Sequence, residues 1–321
     1  MLSKRILLAC FLPVVILSTN LHAAPKLKPQ TIKVGTGSKS GNYYAMAEDI
    51  RNYCEEDLTQ GSVFLPQTSD GSVDNILGMG NKQFSAAVVQ EDVLQYFSKT
   101  QPRKVNTNRM KIISGLHMES VHLLVPKGYK GDQGNGLKNM LGSLFNNKTQ
   151  KAISIGMLKG QTIGSWGGSV VSAKALSFFM QLNLNVVEIP EKDRSAPNIP
   201  LLLVGGHPYK PVQKLLETGR YVLIPIDYAE LKDKAPFYLK SSISYKNSGK
   251  ITSVSTFGVR ALLIGKSFRR ESRNTNMINL AKCIQDSLVD LADDPDTNPA
   301  WSSVYELEED GEQTSWSYFP L

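Results

Sequence analysis

The sequence predicts an α/β fold built of two domains, and three observations predict it. Short apolar runs alternate with helix-forming segments from residue 32 onward. A Gly-, Asn- and Lys-rich stretch at 127–149 breaks that rhythm, and a second α/β run follows it. Each half also carries strand-to-helix junctions of one kind: small, polar and glycine-bearing. A β-α-β order of this sort implies a largely parallel sheet with helices on its faces.

The elements follow in order. Ile32–Gly35 is a strand, Tyr43–Asp57 a helix and Val63–Pro66 a strand. Ser72–Met79 is a short helix, Phe84–Val89 a buried strand and Val93–Lys99 a helix. Lys111–Leu116 and Val121–Val125 are two strands separated by His117-Met118-Glu119-Ser120. In the second half, Ala152–Met157, Leu184–Ile189, Leu201–Val204 and Tyr221–Ile226 are strands. Thr162–Ser165 leads through Trp166-Gly167-Gly168-Ser169 into a helix at Val170–Gln181, and Val212–Glu217 is another helix. Thr252–Ile264 reads as one or two strands, and a helix at Met277–Ala292 closes the core. The tail from Glu306 gives no clear fold signal.

The first residues read as an export signal, 1–23. Lys4 and Arg5 precede an apolar run from Ile6 to Ser18, and Ala23 offers a small residue for cleavage. That run is too short to span a bilayer, which needs about 20 residues. The mature chain is expected in the periplasm. It is long enough for two domains with a sizeable core. The chain has a net charge of +7, but its basic residues are spread. The richest stretch, Lys266 to Arg273, reads as a solvated face just before a helix, which argues against nucleic acid as a partner. Cys54 and Cys283 follow the signal. They either pair or remain buried thiols, and their places in predicted helices tip the reading toward thiols.

The loop Gly35-Thr36-Gly37-Ser38-Lys39-Ser40-Gly41 lies between a strand and a helix. Backbone N–H groups at such a junction, with Ser and Thr hydroxyls, suit a small anion. The loop lacks a dinucleotide fingerprint, because three residues separate its last two glycines and no acid closes the next strand. Gly-x-Ser-x-Gly, Walker and metal-ligand spacings are absent too. No cofactor, metal or catalytic residue is therefore assigned. The matching junctions are Thr68–Ser72, Trp166–Ser169 and Gly205–Pro208. Two domains whose strand ends face each other make a cleft that closes on a ligand.

Five motifs in order resemble the TAXI-type solute receptors of TRAP transporters. They are Gly35-Thr36-Gly37 with Gly41-Asn42-Tyr43-Tyr44, Ser69-Asp70-Gly71-Ser72-Val73-Asp74-Asn75, Gln90-Glu91-Asp92, Glu119-Ser120-Val121-His122, and Gly205-Gly206-His207-Pro208 with Pro225-Ile226-Asp227. The chain departs from the family at Ala45, where a proline is usual, and at Trp166-Gly167-Gly168-Ser169, where Gly-Ser-Gly-Thr is usual. The resemblance implies a type II periplasmic binding fold with a discontinuous first domain, 24–125 with 250–321, and a second domain, 126–249. Two hinge crossings are expected, near 120–127 and 245–255.

The resemblance implies a monomeric receptor, not an enzyme, that captures a carboxylate or amino acid and delivers it to a TRAP-type permease. A periplasmic sensor component and an α/β enzyme are the alternatives. The expected ligand contacts are Gly37, Ser38, Tyr43, Tyr44, Ser69, Ser72, Gln90, Glu119, Trp166, Gly167, Ser169 and His207. Neighbours on a helix point about 100° apart, so one of Tyr43 and Tyr44 should face the cleft and the other pack. Ser72 is a ligand contact or a helix cap. Glu119 binds a ligand amine or forms a hinge salt bridge. Trp166 is a cleft wall or a core anchor, and His207 is a contact or a surface loop residue.

Overall fold

The computed structural model describes residues 28–104, 106–129, 152–195, 197–247, 250–311, 314 and 316–321. The expected signal segment and most of the 127–149 loop lie outside them. Among the described residues ten strands join in one mixed sheet. The path is β2 (Val63–Gln67), β1 (Thr31–Gly35), β3 (Ala86–Gln90), β10 (Lys250–Lys266), β4 (Met110–Pro126), β7 (Leu201–Gly205), β5 (Thr162–Ser165) and β6 (Asn185–Glu188). In addition β8 (Tyr221–Ile224) pairs with β4, and β9 (Tyr238–Asn247) with β10.

Two strands organise the molecule. β4 and β10 have 17 residues each, so each spans roughly 55 Å at the usual rise. The first half of β4 pairs with the second half of β10, from Met110↔Lys266 to Ser120↔Gly258. Beyond Ser120, β4 pairs instead with β7 and β8. Before Val259, β10 pairs with β9. Both strands thus leave one lobe and enter the other near Ser120 and Gly258. The second crossing falls nearer Gly258 than the 245–255 expected, because residues 250–259 are committed to β9.

The expectation of a largely parallel sheet is corrected. Only the β1–β2, β1–β3, β5–β6 and β5–β7 ladders are parallel. Every ladder made by β4 or β10 is antiparallel, since these strands run back between the lobes. His117–Ser120 does not separate two strands; it lies inside the single strand β4. Ala152–Met157 is not a strand either. It makes one bridge, Ile153↔Ile226, and then a 3-10 turn at Ile155–Leu158.

Helices cover the sheet for visible reasons. α1 (Asn42–Cys54) buries Tyr43, Met46, Ala47, Ile50 and Cys54, a spacing of three and four that lays one stripe on the core. Full burial of Ile50 is worth about 2 kcal/mol of transfer free energy, and truncating it to Ala would cost about 2–5 kcal/mol. α7 (Thr275–Asp286), α8 (Leu288–Asp293) and α9 (Ala300–Glu309) supply much of the rest of that core, with Trp301 fully buried. α2 (Ser72–Gly80) and α3 (Glu91–Thr100) supply much of the opposite core, around Phe84, Leu94 and Phe97. The all-buried β3 lies between these two layers, so it reads as a continuous apolar run. In the second lobe α4 (Ser169–Phe179) packs around Ile163 and Leu202, α6 (Ala229–Lys234) buries Leu231 in the same cluster, and α5 (Lys210–Glu217) packs with Trp166 and Tyr245.

Cys54 and Cys283 form a disulfide, with Cα atoms 5.8 Å apart. Of the two readings left open, a bridge or buried thiols, the bridge is the one formed, against the slight lean toward thiols. The end of α1 packs on α7, so two separate helices bring the sulfurs together. Near the end of the chain Ile112 bridges to Tyr318, and Phe319 is buried.

Candidate functional site

A cleft of about 630 Å³ opens between the lobes. It lies beyond the carboxyl ends of β1, β3, β5 and β7, where open α/β sheets place ligands. The N-terminal ends of α1, α2, α4 and α5 border it.

In the first lobe, Gly37, Ser38, Ser40 and Gly41 form the rim before α1. Gly71, with φ 93°, turns the chain into α2 in a conformation that side chains resist. Ser69 does not face the cleft. Its hydroxyl donates to the Thr36 carbonyl at 2.9 Å, and it lies 2.7 Å from Asn75 Oδ1, so it binds one loop to the other. Asn75 completes this stitch by donating to the carbonyls of Thr36 and Val88.

The floor is a polar cluster. Tyr43 is buried at the start of α1 and hydrogen-bonds to Ser72 and Glu119; burial, then the nearby Glu119 charge, pushes its phenol well above the usual range. The Ser72 hydroxyl accepts from the Gln90 N–H at 2.9 Å, a cross-link and not a helix cap. Gln90 Nε2 donates to Glu119, while its Oε1 accepts from Ser172 of the second lobe at 3.2 Å. Glu119 also faces His117, Nε2 to Oε1 3.6 Å. Behind the floor, Asp92 is fully enclosed and accepts from Val93 N–H and from the Tyr238 hydroxyl. Burial pushes its carboxyl up to about 7.

In the second lobe Trp166, Gly167, Gly168 and Ser169 face the first-lobe rim. Trp166 is both wall and anchor: it lines the cleft, packs with Ile189 and Leu201, and lies 5.8 Å from the Arg194 guanidinium. The Ser169 hydroxyl both donates to the Val204 carbonyl and accepts from the Val204 N–H, which pins α4 to β7. Tyr209 is set from behind. Its N–H donates to the Tyr245 hydroxyl at 3.0 Å, and that hydroxyl lies 2.7 Å from His122 Nε2. His122 Nδ1 faces the Leu203 carbonyl, so the ring is neutral with its proton on Nδ1. Burial lowers its basicity to about 4.

Nine of the expected contacts line this one cleft: Gly37, Ser38, Tyr43, Ser72, Gln90, Glu119, Trp166, Gly167 and Ser169. Three do not. Tyr44 is half-buried beside Tyr43, Ser69 serves the loops, and His207 is exposed with its ring against the Ser244 backbone. The cleft also brings in Asn42, Asp70, Gly206, Tyr209 and Lys210. Pro211 in the first turn of α5 was the available signal for the last two, since proline favours that position. Among the described residues no group of three His, Cys, Asp or Glu is placed to hold a metal.

Two α/β lobes are thus strung on two shared strands around a cleft at their strand ends. The model of the NMT1-like family matches residues 34–272, and the chain belongs to that family. No curated protein matches the sequence. Similar solved structures include a protein from Bordetella bronchiseptica RB50 (13% identity, 90% of this chain and 85% of that one, TM-score 0.47). Others are a periplasmic transporter (11% identity, 89% and 94%, TM-score 0.47) and the substrate binding protein of an amino acid ABC transporter (10% identity, 88% and 100%, TM-score 0.42).

Proposed function

We propose that this chain is an exported solute receptor that captures a small carboxylate or amino acid between its lobes and hands it to a membrane permease. One observation carries the reading: the ends of four helices, two from each lobe, converge on a cleft whose walls hang on shared strands. Helix N-termini favour negative groups, and hinge closure brings the two walls onto one ligand. Ligand binding free energy then goes into the closed state.

The five ordered motifs support a TAXI-type receptor serving a TRAP-type permease, working as a monomer. The apolar run after Lys4 and Arg5 supports export to the periplasm, and no helix among the described residues is long and apolar enough to cross a membrane. We assign a discontinuous first domain and a second domain between its two parts, with the crossings inside β4 and β10 near Ser120 and Gly258. The proposed contacts are the nine expected residues that line the cleft, joined by Asn42, Tyr209 and Lys210.

The test is a thermal-shift screen of the full mature chain against carboxylates, amino acids, betaines and phosphates. A true ligand raises the melting temperature with concentration, by mass action. No shift with any compound would overturn the receptor reading.

A further inference from the structure

We propose that the solute carries a cationic nitrogen, with Glu119 as its counter-ion and Tyr43, Trp166 and Tyr209 as the aromatic walls around it. The proposal rests on the receptor reading and narrows it.

The side chain of Glu119 is only 12% exposed. Its contacts are the Gln90 amide, the Tyr43 phenol and the His117 ring at 3.6 Å. Among the described residues, no lysine or arginine comes within 4.0 Å of it. A carboxylate largely removed from water needs an opposite charge, and no described lysine or arginine supplies one here. His117 gives a second sign at the same floor. It is 1% exposed, and neither ring nitrogen has a hydrogen-bond partner among the described residues. Its ring stands edge-on to Tyr43, with centroids 5.9 Å apart.

The charges of the cleft agree. Among the described residues, Asp70 and Glu119 line it against the single ammonium of Lys210, in a chain whose net charge is +7. Asp92 lies behind the floor and adds to the same sign as it ionises. Tyr43, Trp166 and Tyr209 all line the cleft, and aromatic faces attract alkylated and protonated nitrogen alike. The solute's carboxylate is left to the helix N-termini and Lys210. A simple dicarboxylate would instead press a second negative group toward Glu119.

Calorimetric titration of the full mature chain tests this with two matched pairs. Glycine betaine and 3,3-dimethylbutanoate differ in nitrogen against carbon at one centre; L-glutamate and glutarate differ in the amine. The nitrogen-bearing member of at least one pair should bind about tenfold tighter or more, and Glu119→Gln should bring that ratio to within about twofold. Glutamine keeps the shape and an acceptor for the Gln90 amide, and circular dichroism checks that the variant folds. Nitrogen-free compounds that bind as tightly as their partners in both pairs overturn the proposal. So does an unchanged ratio in Glu119→Gln, which would make His117 the partner of Glu119. In the thermal-shift screen, binding only by nitrogen-free solutes overturns the proposal and keeps the receptor reading. No binding at all removes both.

Discussion

Asp92 of the first lobe accepts a hydrogen bond from the hydroxyl of Tyr238, a residue of the second lobe, across 3.3 Å. The contact is fully enclosed, beside the point where β10 passes between the lobes. It ties the state of one carboxyl to the fit of the two halves.

Asp92 makes the fold weaker as pH rises. Its carboxyl is held at about 7 against an ordinary 3.8, so the folded chain keeps a proton that the unfolded chain has lost. Its contribution is fully favourable below about pH 4 and is lost progressively up to about pH 7. Asp92→Asn removes that dependence. The melting temperature of the variant relative to the parent should therefore climb between pH 5 and pH 8; a constant offset would count against the assignment.

His122 acts with the opposite sign. Burial holds it neutral down to about 4, whereas the unfolded ring takes a proton near 6.5. Its contribution is complete above 6.5 and is lost as pH falls toward 4. Tyr245→Phe strips the ring of its partner and leaves the Tyr209 N–H unmatched, at a cost of about 1–3 kcal/mol in urea unfolding. Solute affinity should fall as well, because Tyr209 loses its support.

The disulfide closes a separation of 229 residues. In the chain-entropy account such a loop is worth about 5 kcal/mol, and native bridges usually deliver about 2–5 kcal/mol. Cys54→Ser with Cys283→Ser should lower the urea midpoint accordingly, and a reductant should shift the parent but not the double variant.

Gly115 leaves room for a buried guanidinium. A Cβ there would stand 2.3 Å from Arg260 Cζ, and Arg260 is held by the Leu116 carbonyl and by Glu308 of α9. Gly115→Ala should cost roughly 3 kcal/mol or more by displacing a buried, paired charge. Glycine at 128, where a Cβ meets nothing within 4 Å, has a positive φ and is a poor control. Gly168, open and without that constraint, is the better one for stability.

Much of this molecule could be read in the residues, and the gaps have physical causes. The apolar spacing of α1 and the unbroken Ala86–Val89 run announced their elements directly. β4 looked like two strands because His117 and Glu119 interrupt its apolar pattern, yet those polar side chains point to the cleft floor and leave the backbone pairing intact. β9 was missed because Lys240, Ser242, Ser244 and Lys246 face water and dilute its signal, although Ile243 and Tyr245 are buried. The disulfide joins residues far apart in the chain, and no local pattern reports such a contact. At the site, glycine and hydroxyl junctions located the rim. Tyr209 and Lys210 reach the cleft because the loop after β7 carries the start of α5 there, a long-range placement at which only Pro211 hinted.

The path of β10 sets an order of assembly. It pairs with β3 on one side and β4 on the other, so β1, β2 and β3 have no sheet connection to β4 until residues 258–266 arrive. The amino-terminal lobe, made first, is thus the lobe completed last. A chain truncated before residue 258 would leave two open sheet edges side by side, each a template for pairing with a second copy.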